Sequence, residues 1–166
     1  MKIFPRPPFF PLMIDIKDRE ILIVGGGRVA SRRAETLLRC GARVTAVSKD
    51  FIQDFPSDVI KIERAFHPSD IDERFLFVVA ATNDRDTNEL IRKVSNSKKI
   101  LVNVCDCQGD CDFFFPSLIS YENVAVSVST AGADSGLTRR LSDRLRRVWA
   151  SWVCRERELL LSSNVL

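Results

Sequence analysis

The sequence predicts an α/β fold, a doubly wound parallel sheet followed by a smaller α+β unit and a C-terminal helix. Three observations lead there. The aliphatic run Ile21 to Val24 ends abruptly in Gly25, Gly26 and Gly27, and helical spacing begins at once. Further apolar runs at Arg43 to Val47, Phe75 to Ala81 and Ile100 to Val104 alternate with helical or polar segments, as parallel strands joined by crossovers require. Beyond Phe113 the alternation stops, and two short strand-like runs without a helix between them precede one long helix.

Composition narrows the function. A chain of 166 residues, 45% hydrophobic, buries one good core and an appendage. A net charge of +3 from 25 basic and 22 acidic residues argues for neither nucleic acid nor membrane as a partner. No run reaches the apolar length of a membrane span, and the proline-rich start with Arg6 does not read as a signal peptide, so a cytoplasmic protein is expected. Five cysteines without an export signal then read as reduced thiols.

Taken in order, the prolines at 5, 7, 8 and 11 keep the entry extended, and Leu12 to Ile16 is expected as an edge strand. After the glycines, Val29, Ala30, Ala34, Leu37 and Leu38 share one helical face, and Gly41 ends that helix. A strand near Val59 to Glu63, a turn at His67 and Pro68, and a helix over Asp84 to Ser95 complete the parallel portion. Phe113 to Pro116 and Val124 to Ser129 are the next expected strands, joined by the turn at Tyr121 to Asn123. Asp134 is the N-cap of a helix starting near Ser135. On that helix Leu137, Leu141, Leu145, Val148, Trp149 and Trp152 fall on one side, and Arg139, Arg140, Arg144, Arg146 and Arg147 on the other. Such a basic face is either a solvated surface or a site for an anionic ligand.

The chemistry concentrates at the carboxyl ends of the strands, where open α/β sheets bind ligands. The glycine turn matches Gly-x-Gly-x-x-Ala: Gly25 permits the tight turn, Gly27 admits a pyrophosphate to the backbone, and Ala30 keeps the helix close to the strand. The other reading is a glycine-rich turn with no ligand. Beyond the second strand, Asp50 suits an adenosine ribose and Lys49 a 2′-phosphate, which leaves NAD and NADP both open. Thr82 and its neighbours Asn83 and Asp84 lie near the expected nicotinamide, or serve as a helix cap. Asp106 follows the fifth strand, placed either to move a proton beside a hydride acceptor or to close its own turn. Cys105, Cys107 and Cys111 cluster without matching a zinc or iron-sulfur spacing, so no metal site is assigned. His67, before a proline, reads as a surface residue.

The order of these motifs resembles precorrin-2 dehydrogenase and the N-terminal domain of siroheme synthase. Phe10-Pro11-Leu12 through Lys17, the glycines with Arg28-Val29-Ala30, Ala80 to Asp84, Asn103 to Asp106, Phe115-Pro116-Ser117 and Val126 to Gly132 carry the resemblance over roughly residues 9 to 147. It implies NAD-dependent oxidation of precorrin-2 to sirohydrochlorin, on the route to siroheme or cobalamin, by a homodimer. By position it implies Asp106 as the catalytic aspartate and Gly25, Gly27, Arg28, Val29, Lys49 and Asp50 as cofactor contacts, to which Thr82 is added from its place after the fourth strand. Ser129, Thr130, Arg139 and Arg140 would then meet the carboxylated tetrapyrrole. The organisation it implies is a Rossmann-type NAD-binding domain over 1–112, a dimerisation and substrate-cleft unit over 113–147 and a short helical tail over 148–166.

Two departures bear on activity. Ala131 to Gly136 replaces the usual small-polar-Ser-Pro loop, and the helical part after Trp149 is short. Both favour dehydrogenation alone over a bifunctional enzyme that also inserts iron or cobalt, an alternative that the cysteine cluster keeps open. A rival of another class is a non-catalytic NAD-sensing module, which explains the glycine turn but not the Phe-Pro-Ser strand unit and the arginine-faced helix; another is an inactive tetrapyrrole carrier, against which the retained Asp106 argues.

Overall fold

A computed structural model describes residues 9–163; the extended entry expected over 1–8 and the last residues of the tail, 164–166, lie outside them. The chain divides into two compact units, residues 10–113 and the residues from Phe114 onward, with Phe9 in the second.

The first unit is built on five parallel strands, β1 (Glu20–Val24), β2 (Arg43–Ser48), β3 (Ile60–Glu63), β4 (Phe75–Ala80) and β5 (Leu101–Val104). Their order is β3-β2-β1-β4-β5. Helix α1 (Arg28–Arg39) connects β1 to β2, and α2 (Arg85–Ser97) connects β4 to β5. The two crossovers leave the centre in opposite directions, and right-handed connection therefore puts the helices on opposite faces. Both faces of the central strands are covered, so Ile21, Leu22, Ile23, Val78 and Val79 are fully buried, as unbroken aliphatic runs predict. One layer of core packs Leu22, Val24, Val78 and Val102 against Ile91 and Val94 of α2.

Helix α1 turns Ala30, Ser31, Ala34 and Leu37 inward, while Val29 remains 39% exposed despite its apolar side chain. Its end is a Schellman motif: the Ala42 amide donates to the Leu37 carbonyl at 3.1 Å and the Gly41 amide to Leu38 at 2.9 Å, with Gly41 at φ 82°. The edge strand expected over Leu12 to Ile16 does not form. That segment is largely exposed, and it closes into a turn in which the Ile16 carbonyl accepts from Arg19 and the Asp18 amide donates to Gly41.

The second unit pairs β6 (Ser117–Tyr121) with β7 (Val124–Val128) as an antiparallel hairpin, followed by α3 (Ser135–Ser163). The strand expected over Phe113 to Pro116 is instead coil, and β6 begins just beyond it. Pro116 has no amide to give a ladder. The Phe113 carbonyl is taken by Asn103 Nδ2 at 2.8 Å, and the Phe113 ring lies against Phe77 with centroids 4.8 Å apart. Helix α3 passes position 147 without a break. The apolar side that spacing suggested is covered only in part: Leu145, Val148 and Trp149 are half-buried, Leu137, Leu141 and Trp152 are 39%, 41% and 50% exposed, and the buried positions are Ser142 and Val153. A two-stranded hairpin is too narrow to cover a full apolar stripe, so the contact falls on the Thr138, Ser142, Leu145, Trp149 and Val153 side.

Candidate active site

The ends of β1 and β4 flank the point where strand order reverses, and a cleft of about 620 Å³ opens there. Its floor is the glycine turn. Gly25 sits at φ 130°, and a Cβ on it would lie 2.3 Å from the Ala81 carbonyl oxygen. Gly26 is equally confined, since a Cβ there would come within 2.0 Å of the Asp50 carbonyl oxygen. That loop is fastened by the Ile52 amide donating to the Gly26 carbonyl at 3.0 Å and by the Ser48 hydroxyl donating to the Asp50 carbonyl at 2.7 Å. Gly27 differs from both. A Cβ on it meets nothing within 4 Å and its φ of −85° suits any residue, so nothing within the described protein requires glycine there.

Gly27 is also the N-cap of α1, and no side chain caps that helix. The first amides of α1 lack partners one turn back and carry the positive end of the helix dipole. Bare amides behind an uncrowded glycine fit a pyrophosphate, and the residues present therefore accommodate a dinucleotide. Gly25, Gly27, Lys49, Asp50 and Thr82 line this one cleft, while Arg28 and Val29 open α1 directly behind Gly27. Phe51, Ile52 and Phe66 give it an apolar wall that the sequence reading did not pick out.

Across the cleft, Thr82 is held by Asn88, which is fully buried on α2. The Thr82 hydroxyl lies 2.7 Å from Asn88 Oδ1 and 2.9 Å from the Asp84 carbonyl. Asp84 is the cap of α2, accepting from the Asp86 amide at 3.2 Å and the Thr87 hydroxyl at 2.5 Å. The Thr87 hydrogen bond holds the Asp84 carboxyl below the usual carboxylate range, and the charge of Lys49 adds to it. The two readings of the Thr82 to Asp84 stretch thus divide: Asp84 caps the helix, and Thr82 lines the cleft.

Asp106 follows β5, the strand beside β4. Its Oδ1 pairs with Arg85 Nη1 at 3.3 Å, and Arg85 Nη2 reaches Asp110 at 2.5 Å. The loop bearing Asp106 folds back on β5: the Asp112 amide donates to the Val102 carbonyl at 2.9 Å, and the Asp112 side chain accepts from the Val102 amide at 2.9 Å. Cys111 closes the same loop, its thiol 3.1 Å from the Val104 carbonyl and 3.2 Å from the Val104 amide. Desolvation raises the Cys111 thiol above its usual range. It raises Cys105 as well, although that residue as a whole is exposed. Among the described residues no three His, Cys, Asp or Glu side chains converge on a point that could hold a metal ion. His67 caps the short turn Pro68–Asp70, its Nδ1 accepting from the Ser69 amide.

Ser129, Thr130, Arg139 and Arg140 belong to the other unit. The Ser129 hydroxyl accepts from the Ala131 amide at 3.0 Å, and Thr130 Oγ1 accepts from the Asp134 amide at 3.0 Å, so both hydroxyls brace the turn into α3. Asp134 is that helix's cap, accepting from Leu137 at 2.7 Å. Arg139 and Arg140 are exposed, and Arg139 lies 3.9 Å from Asp143. Sequence reasoning missed Gly26, Asn88 and Arg85. For Asn88 a signal existed, because it shares a helical face with Ile91 and Ser95, both buried.

Comparison with known proteins agrees with this geometry. Residues 12–117 match a family model described as "Putative NAD(P)-binding". Siroheme synthase of Baumannia cicadellinicola subsp. Homalodisca coagulata is 33% identical over 145 residues, covering 84% of this chain and 31% of that protein. Siroheme synthase of Thioalkalivibrio sulfidiphilus is 39% identical over 142 residues, 82% of this chain and 29% of that protein. A probable multifunctional siroheme biosynthesis protein HemA from Ruminiclostridium josui is 31% identical over 144 residues, 84% of this chain and 28% of that protein. The chain thus spans under a third of the length of these relatives. The solved structure of SirC, precorrin-2 dehydrogenase, superposes with a TM-score of 0.73 at 27% identity, over 87% of this chain and 75% of that one. The chain belongs to this NAD(P)-binding family, related in sequence to siroheme synthases and in fold to the precorrin-2 dehydrogenase SirC.

Proposed function

We propose that this chain is an NAD-dependent dehydrogenase that oxidises precorrin-2 to sirohydrochlorin in siroheme synthesis. The observation that carries the cofactor half is Gly27, a glycine with open space around it at an uncapped helix start in the switch-point cleft. Gly25, Arg28, Val29, Lys49, Asp50 and Thr82 complete the proposed cofactor site. The bound nicotinamide supplies the hydride acceptor. Substrate, enzyme and cofactor balance as precorrin-2 plus NAD⁺ giving sirohydrochlorin, NADH and a proton, and Asp106 takes or relays that proton. Ser129, Thr130, Arg139 and Arg140 are proposed to meet the carboxylates of the macrocycle, the arginines by charge-assisted pairing.

The working form is proposed to be a cytoplasmic homodimer. Exposed Leu137, Leu141, Trp152 and Leu159 to Leu161 on α3 support a second copy as their cover. No described helix is long and apolar enough to cross a membrane. The five free cysteines suit a reducing compartment.

The test is anaerobic mixing of the protein with precorrin-2 and NAD, followed at the NADH absorbance band. Formation of NADH with sirohydrochlorin is the expected result, and Asp106→Ala should retain NAD binding while losing turnover by orders of magnitude. NAD binding without NADH would instead favour the sensing module, and a fully active Asp106→Ala protein would remove Asp106 from the mechanism.

A further inference from the structure

Arg85 occupies the first position of α2, immediately after its cap. A cation is disfavoured at that end of a helix dipole, so helix formation does not account for it. Its partners do. Arg85 reaches across 21 and 25 positions of sequence to two carboxylates on the loop after β5, Asp106 through Nη1 and Asp110 through Nη2.

The two carboxylates are used differently. Asp110 is the more enclosed, its side chain 17% exposed against 35% for Asp106. Both of its oxygens are engaged, Oδ2 by Arg85 at 2.5 Å and Oδ1 by Arg92 at 3.4 Å, two helical turns further along α2. The Arg85 hydrogen bond, then that of Cys107, holds the Asp110 carboxyl below its usual range, so the anchor stays charged through neutral pH. Asp106, by contrast, gives Arg85 only Oδ1, at 3.3 Å. A carboxylate has acceptor capacity on both oxygens, and this pairing commits one of them.

We propose that Arg85 is a positioning residue for Asp106. Anchored by Asp110 and Arg92, its guanidinium fixes the Asp106 carboxylate through one oxygen and leaves the other to exchange the substrate proton. The inference deepens the dehydrogenase reading and rests on it. Arg85 is half exposed and its pairing with Asp106 is a single contact at 3.3 Å, so that contact adds little to stability and its loss is expected to show in turnover. Proton transfer tolerates little misplacement of the accepting atom.

The experiment uses the full chain with Arg85→Ala and Arg85→Lys. With precorrin-2 and NAD, kcat should fall roughly tenfold to a hundredfold in Arg85→Ala while the NAD dissociation constant stays within about twofold. Added guanidinium ion should restore part of the loss, and Arg85→Lys should retain part of the activity. An unchanged kcat, or a loss matched by weakened NAD binding, overturns the inference. A readout independent of turnover is the side-chain guanidinium NMR signal of Arg85 in the resting protein, assigned by its absence from Arg85→Lys. Asp110→Asn and Asp106→Asn should each move it, and a signal indifferent to both overturns the inference even in an active enzyme. Wild-type protein that binds NAD yet makes no NADH, with the Arg85 signal responding as expected, overturns the dehydrogenase reading and the positioning role together. That pattern is distinct from failure at Arg85 alone.

Discussion

Asn88 grips the backbone of Thr82 from both sides: its Oδ1 accepts the Thr82 amide at 3.2 Å and its Nδ2 donates to the Thr82 carbonyl at 3.1 Å. The amide side chain thus occupies the place of a neighbouring strand at the point where β4 has run out of partners. Removing it with Asn88→Ala leaves a half-buried amide and carbonyl unmatched, which should cost about 1 kcal/mol of stability. Thr82 would also lose its fixed position, so NAD affinity should weaken alongside the melting temperature. Thermal melts with and without saturating NAD check both effects.

The three glycines should separate by experiment. Gly26→Ala forces a Cβ to within 2.0 Å of the Asp50 carbonyl oxygen, and the expected outcome is overpacking destabilisation of about 2 kcal/mol or more. Gly27→Ala has room and an ordinary φ, so the melting temperature should hold while NAD affinity drops at least tenfold by titration calorimetry. Equal NAD affinity in Gly27→Ala would place the cofactor elsewhere.

Acid should loosen the cleft through Asp70. Arg64 pairs with it at 2.5 Å, and that hydrogen bond holds the Asp70 carboxyl below its ordinary range despite partial burial. Because the folded value lies below the unfolded one, the unfolded chain binds more protons in the window between them. Stability from this pair is therefore present above the unfolded value and lost as pH falls through the folded one. Ala65 and Phe66, inside the Arg64 to Asp70 turn, line the cleft. Asp70→Asn should lower stability at neutral pH by under about 1 kcal/mol, screening on the Arg64 side limiting it, and should flatten the acid limb of a stability-against-pH curve.

Cys111 is a structural thiol, so alkylating reagents should reach it slowly, and Cys111→Ala should cost about 1 kcal/mol by unpairing the end of β5. Mass spectrometry after timed alkylation of the folded protein checks the order, with exposed Cys40 and Cys154 expected to react first.

Much of the first unit was legible because it obeys one rule throughout. Runs such as Ile21 to Val24 and Phe77 to Ala80 are buried on both faces, so composition alone marks them. The glycine turn was legible as a pattern but not in its division of labour, since Gly26 is required by contact with a loop some twenty residues on. β6 was missed because Ser117 to Tyr121 is a short strand of mixed polarity beside a conspicuous phenylalanine run. The apolar side of α3 was legible only in part, because the helix carries more apolar residues than its hairpin can cover. The Arg85 bridge gave no local signal, since its partners lie 21 and 25 residues away.

The length of α3 has a thermodynamic consequence. At 29 residues it extends about 43 Å, whereas the five-residue strands beneath it reach roughly 17 Å. Among the described residues of this unit, Ile119 and Val153 are its only buried apolar side chains. A helix with so little to lean on draws its stability from whatever covers the overhang, and if the cover is another molecule of the same chain, mass action governs it. The melting of this unit should then climb with protein concentration, while that of the five-stranded sheet stays where it is.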